Sequence, residues 1–167
     1  NCGFLEVGTR KLANNWICAQ LGAREHYAIP RAASHNKQLR CLVTDYWANP
    51  ETTSNLSQRF LSKKLTGKYH SDLRSASVVS FNNQSLLWLL KQKISSRPLS
   101  TYKKYDSYCE VGRAFARRTA KFLPHLFRDT DQPVFFGYDT ASLEAMQAAK
   151  ALGAKCVLGQ IDPCKTE

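Results

Sequence analysis

The sequence predicts an α/β domain built on a mostly parallel sheet, and three observations carry that expectation. Short apolar runs recur along the chain, each ending in polar or turn-forming residues. Stretches of helical length separate them, as parallel strands with crossover connections require. Near the start, Trp16-Ile-Cys-Ala-Gln20 leads directly into Leu21-Gly22-Ala23-Arg24, a strand followed by a glycine turn and a helix-like pattern. In an open α/β sheet such a loop lies at the carboxyl end of the strands, where ligands bind. The unpaired N–H groups of a helix start favour an anion there.

The elements follow in order. Residues 15–20 read as the first strand and 24–36 as a helix, with Pro30 either kinking it or marking its first turns. Leu39-Arg-Cys-Leu-Val43 is the second strand and runs into Thr44-Asp45-Tyr46-Trp47. Residues 76–81 form the third strand, and residues 84–94 an apolar-rich helix. Residues 106–123 are the clearest amphipathic helix, with Tyr108, Val111, Phe115, Phe122 and Leu126 as its apolar stripe. Arg113, Arg117 and Lys121 recur every fourth residue on another face, which is either a solvated face or a surface for phosphates or lipid headgroups. Residues 133–138 are the fourth strand, 140–152 a helix closed by Gly153, and 155–159 the fifth strand.

Composition narrows the class. The 167 residues suit one domain, and 43% hydrophobic content is that of a globular chain. The longest strongly apolar run, Leu86-Leu-Trp-Leu-Leu90, is far short of the roughly 20 residues a membrane-spanning helix needs. The first residues lack the basic-then-apolar order of a signal peptide, and the missing initiator Met implies that the chain begins inside a longer product. The net charge of +11 draws the chain to polyanions. The loop-rich middle adds Arg59, Lys63, Lys64, Lys68 and Arg74, with Phe60 and Tyr69 interleaved either as stacking groups or as anchors of short helices.

The six cysteines, at 2, 18, 41, 109, 156 and 164, include no C-x-x-C pair. Cys18, Cys41 and Cys156 fall within strand-like runs and read as buried, reduced and structural. The four histidines show no metal-ligand spacing, so no metal site is expected.

Three constellations carry candidate chemistry. The first is Gly22-Ala23-Arg24-Glu25-His26: either Gly22 only supplies a turn and Arg24 and Glu25 are ordinary surface charges, or Arg24 holds a phosphate and Glu25 or His26 a hydroxyl. It is not G-x-G-x-x-G, which disfavours a nicotinamide enzyme, and it is not a phosphate loop, because no G-K-[ST] follows. The second is Gly137-Tyr138-Asp139-Thr140, where Asp139 or Thr140 is either a helix N-cap or, for Asp139, a polar group facing a ligand. The third is Gly159-Gln160-Ile161-Asp162-Pro163. A carboxylate leaving a strand end is placed for general-base work, while Asp before Pro is also a common turn.

The run from Trp16 to Arg31, with Leu42-Val-Thr-Asp-Tyr-Trp47 after it, resembles the amino-terminal half of a bacterial group 1 (family 4) glycosyltransferase. Val134-Phe-Phe-Gly-Tyr-Asp-Thr140 and the stretch from Ala148 to Pro163 resemble the last two strands of that half, and the basic middle is unmatched. The resemblance implies a Rossmann-like three-layer domain, one half of a GT-B fold. It implies an acceptor-side domain whose donor-binding partner domain, with its E-x₇-E type of motif, is absent from these 167 residues. It further implies transfer from a nucleotide-sugar substrate to a glycan, lipid-linked or small-molecule hydroxyl, with no cofactor and no metal. Gly22, Ala23 and Arg24 would then lie beside the donor phosphates, with Glu25, His26 and Asp45 on the acceptor side. Asp139 and Asp162 are the candidate catalytic carboxylates. The expected location is cytoplasmic, with peripheral contact at an anionic inner membrane face and no specific nucleic-acid partner. The alternative is a non-catalytic basic module that binds nucleic acid or an anionic surface through the middle segment and the Arg113 row. A sugar-nucleotide-modifying Rossmann enzyme is a third reading, weakened by the missing glycine fingerprint.

Overall fold

The computed structural model describes residues 15–47, 68–83, 87 and 101–160. Its centre is a five-stranded parallel sheet in the order β3-β2-β1-β4-β5. The strands are β1 (Trp16–Gln20), β2 (Leu39–Thr44), β3 (Val78–Ser80), β4 (Val134–Tyr138) and β5 (Lys155–Gly159). Three α-helices are described: α1 (Ala28–His35), α2 (Thr101–Leu126) and α3 (Leu143–Ala151). This is the α/β, Rossmann-like three-layer fold that the sequence predicts. The predicted helix over 84–94 lies outside the described residues, Leu87 excepted.

The central strands are buried on both faces, so they read as unbroken apolar runs without alternation. On one face Ile17, Ala19, Cys41, Val43 and Phe135 meet Phe115, Ala116 and Leu123 of α2 and Ala145 and Ala149 of α3. On the other, Cys18, Leu42, Phe136 and Tyr138 form a second cluster with Tyr27 and Leu73, edged by Ile29 of α1. Burial pushes the Cys18 thiol up to about 12, and neighbouring Cys41 adds to the shift. Among the described residues Cys18, Cys41, Cys109 and Cys156 are free thiols. Cys156, expected to be buried, is exposed, because β5 is an edge strand whose Val157 and Leu158 are exposed as well.

The amphipathic stripe of α2 also differs from expectation. The helix is longer than 106–123, and its buried face is Gly112, Phe115, Ala116, Thr119 and Leu123. Tyr108 and Phe122 are exposed. Three of these five buried residues are small or polar, and Gly112 is the one closest to the 139–141 turn, so a count of large apolar side chains phases the helix wrongly. At the far end of α2, the Arg40 guanidinium donates to the carbonyls of Leu126 (2.5 Å) and Arg128 (2.7 Å), satisfying groups that a helix terminus leaves unpaired.

Two helices close with the same hydrogen-bond pattern. After α3, Gly153 at φ +81° donates to Lys150 O (3.0 Å) and Ala154 to Ala149 O (3.0 Å), as the predicted glycine stop requires. After α1, Lys37 at φ +55° donates to Ser34 O (3.0 Å) and Gln38 to Ala33 O (2.8 Å). A side chain in that left-handed position is strained, whereas glycine is not. Lys37→Gly should therefore raise stability, by about 0.5–1 kcal/mol after the entropy of the freer unfolded chain is subtracted. Urea denaturation of the two proteins measures this, and a destabilised variant would contradict it.

No helix among the described residues is long and apolar enough to cross a membrane.

Candidate functional site

Chain order and sheet order together locate a crevice. From β1 the chain builds outward through β2 to β3, then crosses back to place β4 on the other flank of β1. The sheet therefore reverses direction between β1 and β4, and at such a switch point the connections diverge above the carboxyl ends of the strands. Ala19 of β1 pairs with Gly137 of β4, so the segments 21–27 and 139–141 leave the sheet side by side.

The loop after β1 is more elaborate than a glycine turn into a helix. Gly22 takes φ +79°, as a turn glycine does. Its N–H donates to Asp45 Oδ1 (2.8 Å) at the end of β2. Residues 24–27 then form a 3-10 turn in which Glu25 (φ +48°), His26 (φ +49°) and Tyr27 (φ +59°) are all left-handed. The helix proper starts only at Ala28. Arg24, Glu25 and His26 thus belong to a turn and do not open a helix as the sequence suggests. Pro30 sits in the first turn of α1, where its missing N–H costs nothing.

Left-handed backbone costs a non-glycine residue roughly 1–2 kcal/mol. Several contacts hold the turn against that cost. Tyr27 is buried, donates its hydroxyl to Lys68 O (3.4 Å) and meets Trp47 edge-on with ring centroids 5.6 Å apart. Burial pushes its hydroxyl up to about 12. From below, the buried Gln20 carboxamide donates through Nε2 to Gly22 O (3.0 Å) and Arg24 O (3.4 Å). Its Oε1 is buried with no hydrogen-bond partner among the described residues.

Two further ties cross from the β1 loop to the end of β4. Tyr138 donates its hydroxyl to Glu25 Oε2 at 3.0 Å. Arg24 donates from Nη2 to Thr140 Oγ1 at 3.2 Å and lies 5.9 Å from the Tyr138 ring centroid, an arrangement favourable to cation and ring alike. Burial pushes the Tyr138 hydroxyl up to about 12, and the Glu25 carboxylate that accepts from it adds to the shift. The hydroxyl is therefore a donor throughout the neutral range.

The predicted site residues separate into three groups. Gly22, Ala23, Arg24, Glu25 and His26 share the crevice mouth with Asp139, which opens the turn Asp139–Ala141. Asp45 lies beneath them, between the Gly22 N–H and the ammonium of Lys68, with which it forms an ion pair. It acts here as a brace for the loop. Asp162 lies outside the described residues. The N-cap expectation at β4 is corrected: neither Asp139 nor Thr140 caps α3. Ser142 holds that position and spends its hydroxyl on Tyr138 O (2.6 Å). The sequence reading missed Tyr138, Gln20 and the pairing role of Thr140. The one available signal was position, since each sits at or just past the carboxyl end of β1 or β4.

Two glycines bring the parts this close. A Cβ on Gly137 would lie 2.6 Å from Ser142 Cβ, and one on Gly112 of α2 would lie 2.5 Å from Thr140 O. Among the described residues no group of three or more His, Cys, Asp or Glu is arranged to hold a metal ion.

The arrangement holds a guanidinium and a carboxylate at the switch point, with the exposed His26 in the same turn. That set suits a ligand carrying both anionic and hydroxyl groups. Comparisons with protein-family models, with curated proteins and with solved structures find no match to this chain.

Proposed function

We infer that this chain is the acceptor-side domain of a GT-B glycosyltransferase, moving a sugar from a nucleotide donor to a hydroxyl of a glycan, lipid-linked or small-molecule acceptor. The observation that carries the reading is the pair of ties, Tyr138–Glu25 and Arg24–Thr140, at the switch point of the sheet. They hold a guanidinium and a carboxylate at the place where an α/β domain meets its ligand. The sequence resemblance runs through the same two segments, 16–31 and 134–140.

In this reading the domain forms one wall of a cleft, and a donor-binding domain forms the other. Arg24 and the Gly22 loop face the diphosphate of the donor and meet the charge that develops as it leaves, a fixed electrostatic contribution. Glu25 and His26 orient the acceptor, and Asp162 is the candidate base for its hydroxyl. The nucleotide sugar is a substrate, and no metal or cofactor enters the scheme. The location that accompanies this reading is the cytoplasmic side of an anionic membrane, which the positive charge of the domain favours.

One wall of such a cleft turns over no donor. Residues 1–167 alone, given nucleotide sugars and acceptors, should release no nucleoside diphosphate, whereas the same residues joined to a donor-binding domain should. Multiple turnovers by residues 1–167 alone would contradict the two-walled reading.

A second reading has its own observation. Between Val111 and Arg128 the chain carries five Arg or Lys residues and no Asp or Glu. Arg113, Arg117 and Lys121 are exposed along one row of α2, and Arg117 reaches Glu144 at 3.3 Å. That row suits a non-catalytic polyanion-binding module. Such a module would bind oligonucleotides with an affinity that falls steeply with salt.

A further inference from the structure

We propose that Tyr138 is a positioning residue of the crevice: its hydroxyl holds the Glu25 carboxylate and so fixes the left-handed turn that presents Arg24 and His26 at the mouth. The proposal rests on reading the crevice as the ligand site. It adds a residue and a mechanism that neither the motif spacing nor the resemblance supplied.

Glu25, His26 and Tyr27 are three successive left-handed residues, and none of them is glycine. Such a segment persists only where its surroundings over-determine it. Tyr27 is fixed by its own burial against Trp47 and Lys68. Gln20 fixes the carbonyls of Gly22 and Arg24. The Glu25–His26 apex is exposed, and its side-chain tie to the rest of the domain runs through Glu25 to Tyr138.

Tyr138 suits that role because it is itself immobile. It lies on the last position of β4, buried to 4% exposure, with its ring edge-on to Phe136 at 5.1 Å between centroids. Gly137 before it lets Ser142 approach, and the Ser142 hydroxyl donates to the Tyr138 carbonyl. A rigid strand end therefore reaches across the crevice to a strained, exposed turn. The same ring lies under the Arg24 guanidinium, which bonds Thr140 on the far side. One side chain thus sets both the acidic and the basic group of the mouth, and the pre-organised pair loses less entropy when a ligand arrives.

The test uses His26 as a reporter, since it stands at the turn apex. Its ring resonances are assigned by their loss in His26→Gln. Tyr138→Phe removes one hydroxyl and keeps the buried ring. In Tyr138→Phe and in Glu25→Ala the His26 resonances should move by similar amounts, while those of His35 and His125 stay in place. The double variant should show no more displacement than the larger single one. Glu25→Gln, which keeps an acceptor oxygen, should restore most of the original position. His26 resonances unmoved in Tyr138→Phe, or displacements that add in the double variant, would overturn the proposal. Should Tyr138→Phe fail to fold, Glu25→Ala decides the matter from the exposed end of the same tie.

A second arm separates this proposal from the reading beneath it. Inorganic pyrophosphate is titrated into the wild-type chain and into Tyr138→Phe. Loss of a pre-organised mouth should weaken its binding about tenfold. Equal affinity in the two proteins would overturn the positioning role. If pyrophosphate leaves the 20–27 segment of the wild type undisturbed, the reading of the crevice as a phosphate-facing site fails, and the His26 resonances still decide the role of Tyr138.

Discussion

Replacing Gly112 by alanine is expected to destabilise this domain, although the same exchange in an exposed helix interior would stabilise it by about 1 kcal/mol. Gly112 lies on the buried face of α2, where the helix crosses the turn Asp139–Ala141. A methyl group there would stand 2.5 Å from the Thr140 carbonyl oxygen and 3.6 Å from Ala141 Cα. Neither partner is the yielding end of a flexible side chain. The helix is held by Phe115, Ala116 and Leu123 in the core, and the turn is held by the end of β4. Overpacking of this kind costs roughly 1–3 kcal/mol. The midpoint of urea unfolding should fall accordingly, and a more stable variant would show that helix and turn stand further apart than described. The functional consequence follows from the same geometry. Where the turn yields to the added methyl group, Thr140 moves, and with it the anchor of Arg24.

Asp162→Asn should have the largest effect on turnover. By resemblance Asp162 follows β5, where a carboxylate would orient the acceptor hydroxyl or take its proton. Loss of a general base costs about 10²- to 10⁴-fold in rate. In a transferase assembled from this domain as proposed, the variant should therefore lose that much turnover while unfolding at nearly the wild-type denaturant concentration. Near-normal turnover would make Asp162 a turn residue before Pro163. Asp139→Asn is the informative companion. An Asn would replace a capping Asp almost without loss, but Asp139 caps no α-helix here. A loss at Asp139 exceeding that at Asp162 would place the reactive carboxylate at the end of β4.

The strands were legible because each is an apolar run bounded by turn residues, and because a sheet covered on both faces needs no alternation. Gly153 was legible because a glycine after an alanine-rich helix has one common purpose. The left-handed turn was not, since Glu25-His26-Tyr27 contains no glycine to announce it. It exists because long-range partners, Tyr138 and Lys68, hold it, and neither pairing has a local signature. Cys156 misled because an apolar run does not tell a central strand from an edge strand. The buried stripe of α2 misled because it includes glycine, alanine and threonine, which an apolar count passes over. The sequence put the β1 loop and the β4 end on the same edge of the sheet, while the adjacency of β1 and β4 is a property of the strand order. The ties between them became visible only with the fold.

Under the proposed function, the β1–β4 crevice meets a nucleotide-sugar donor and a hydroxylated acceptor. Backbone amide resonances of the labelled chain, recorded while nucleotide sugars and oligosaccharide acceptors are titrated in, test it most directly. Shifts are expected to concentrate at Gln20–Tyr27 and Gly137–Ala141 and to weaken in Arg24→Ala. An undisturbed crevice, with shifts instead along Arg113, Arg117 and Lys121 when an oligonucleotide is added, would contradict it and make this chain a polyanion-binding module.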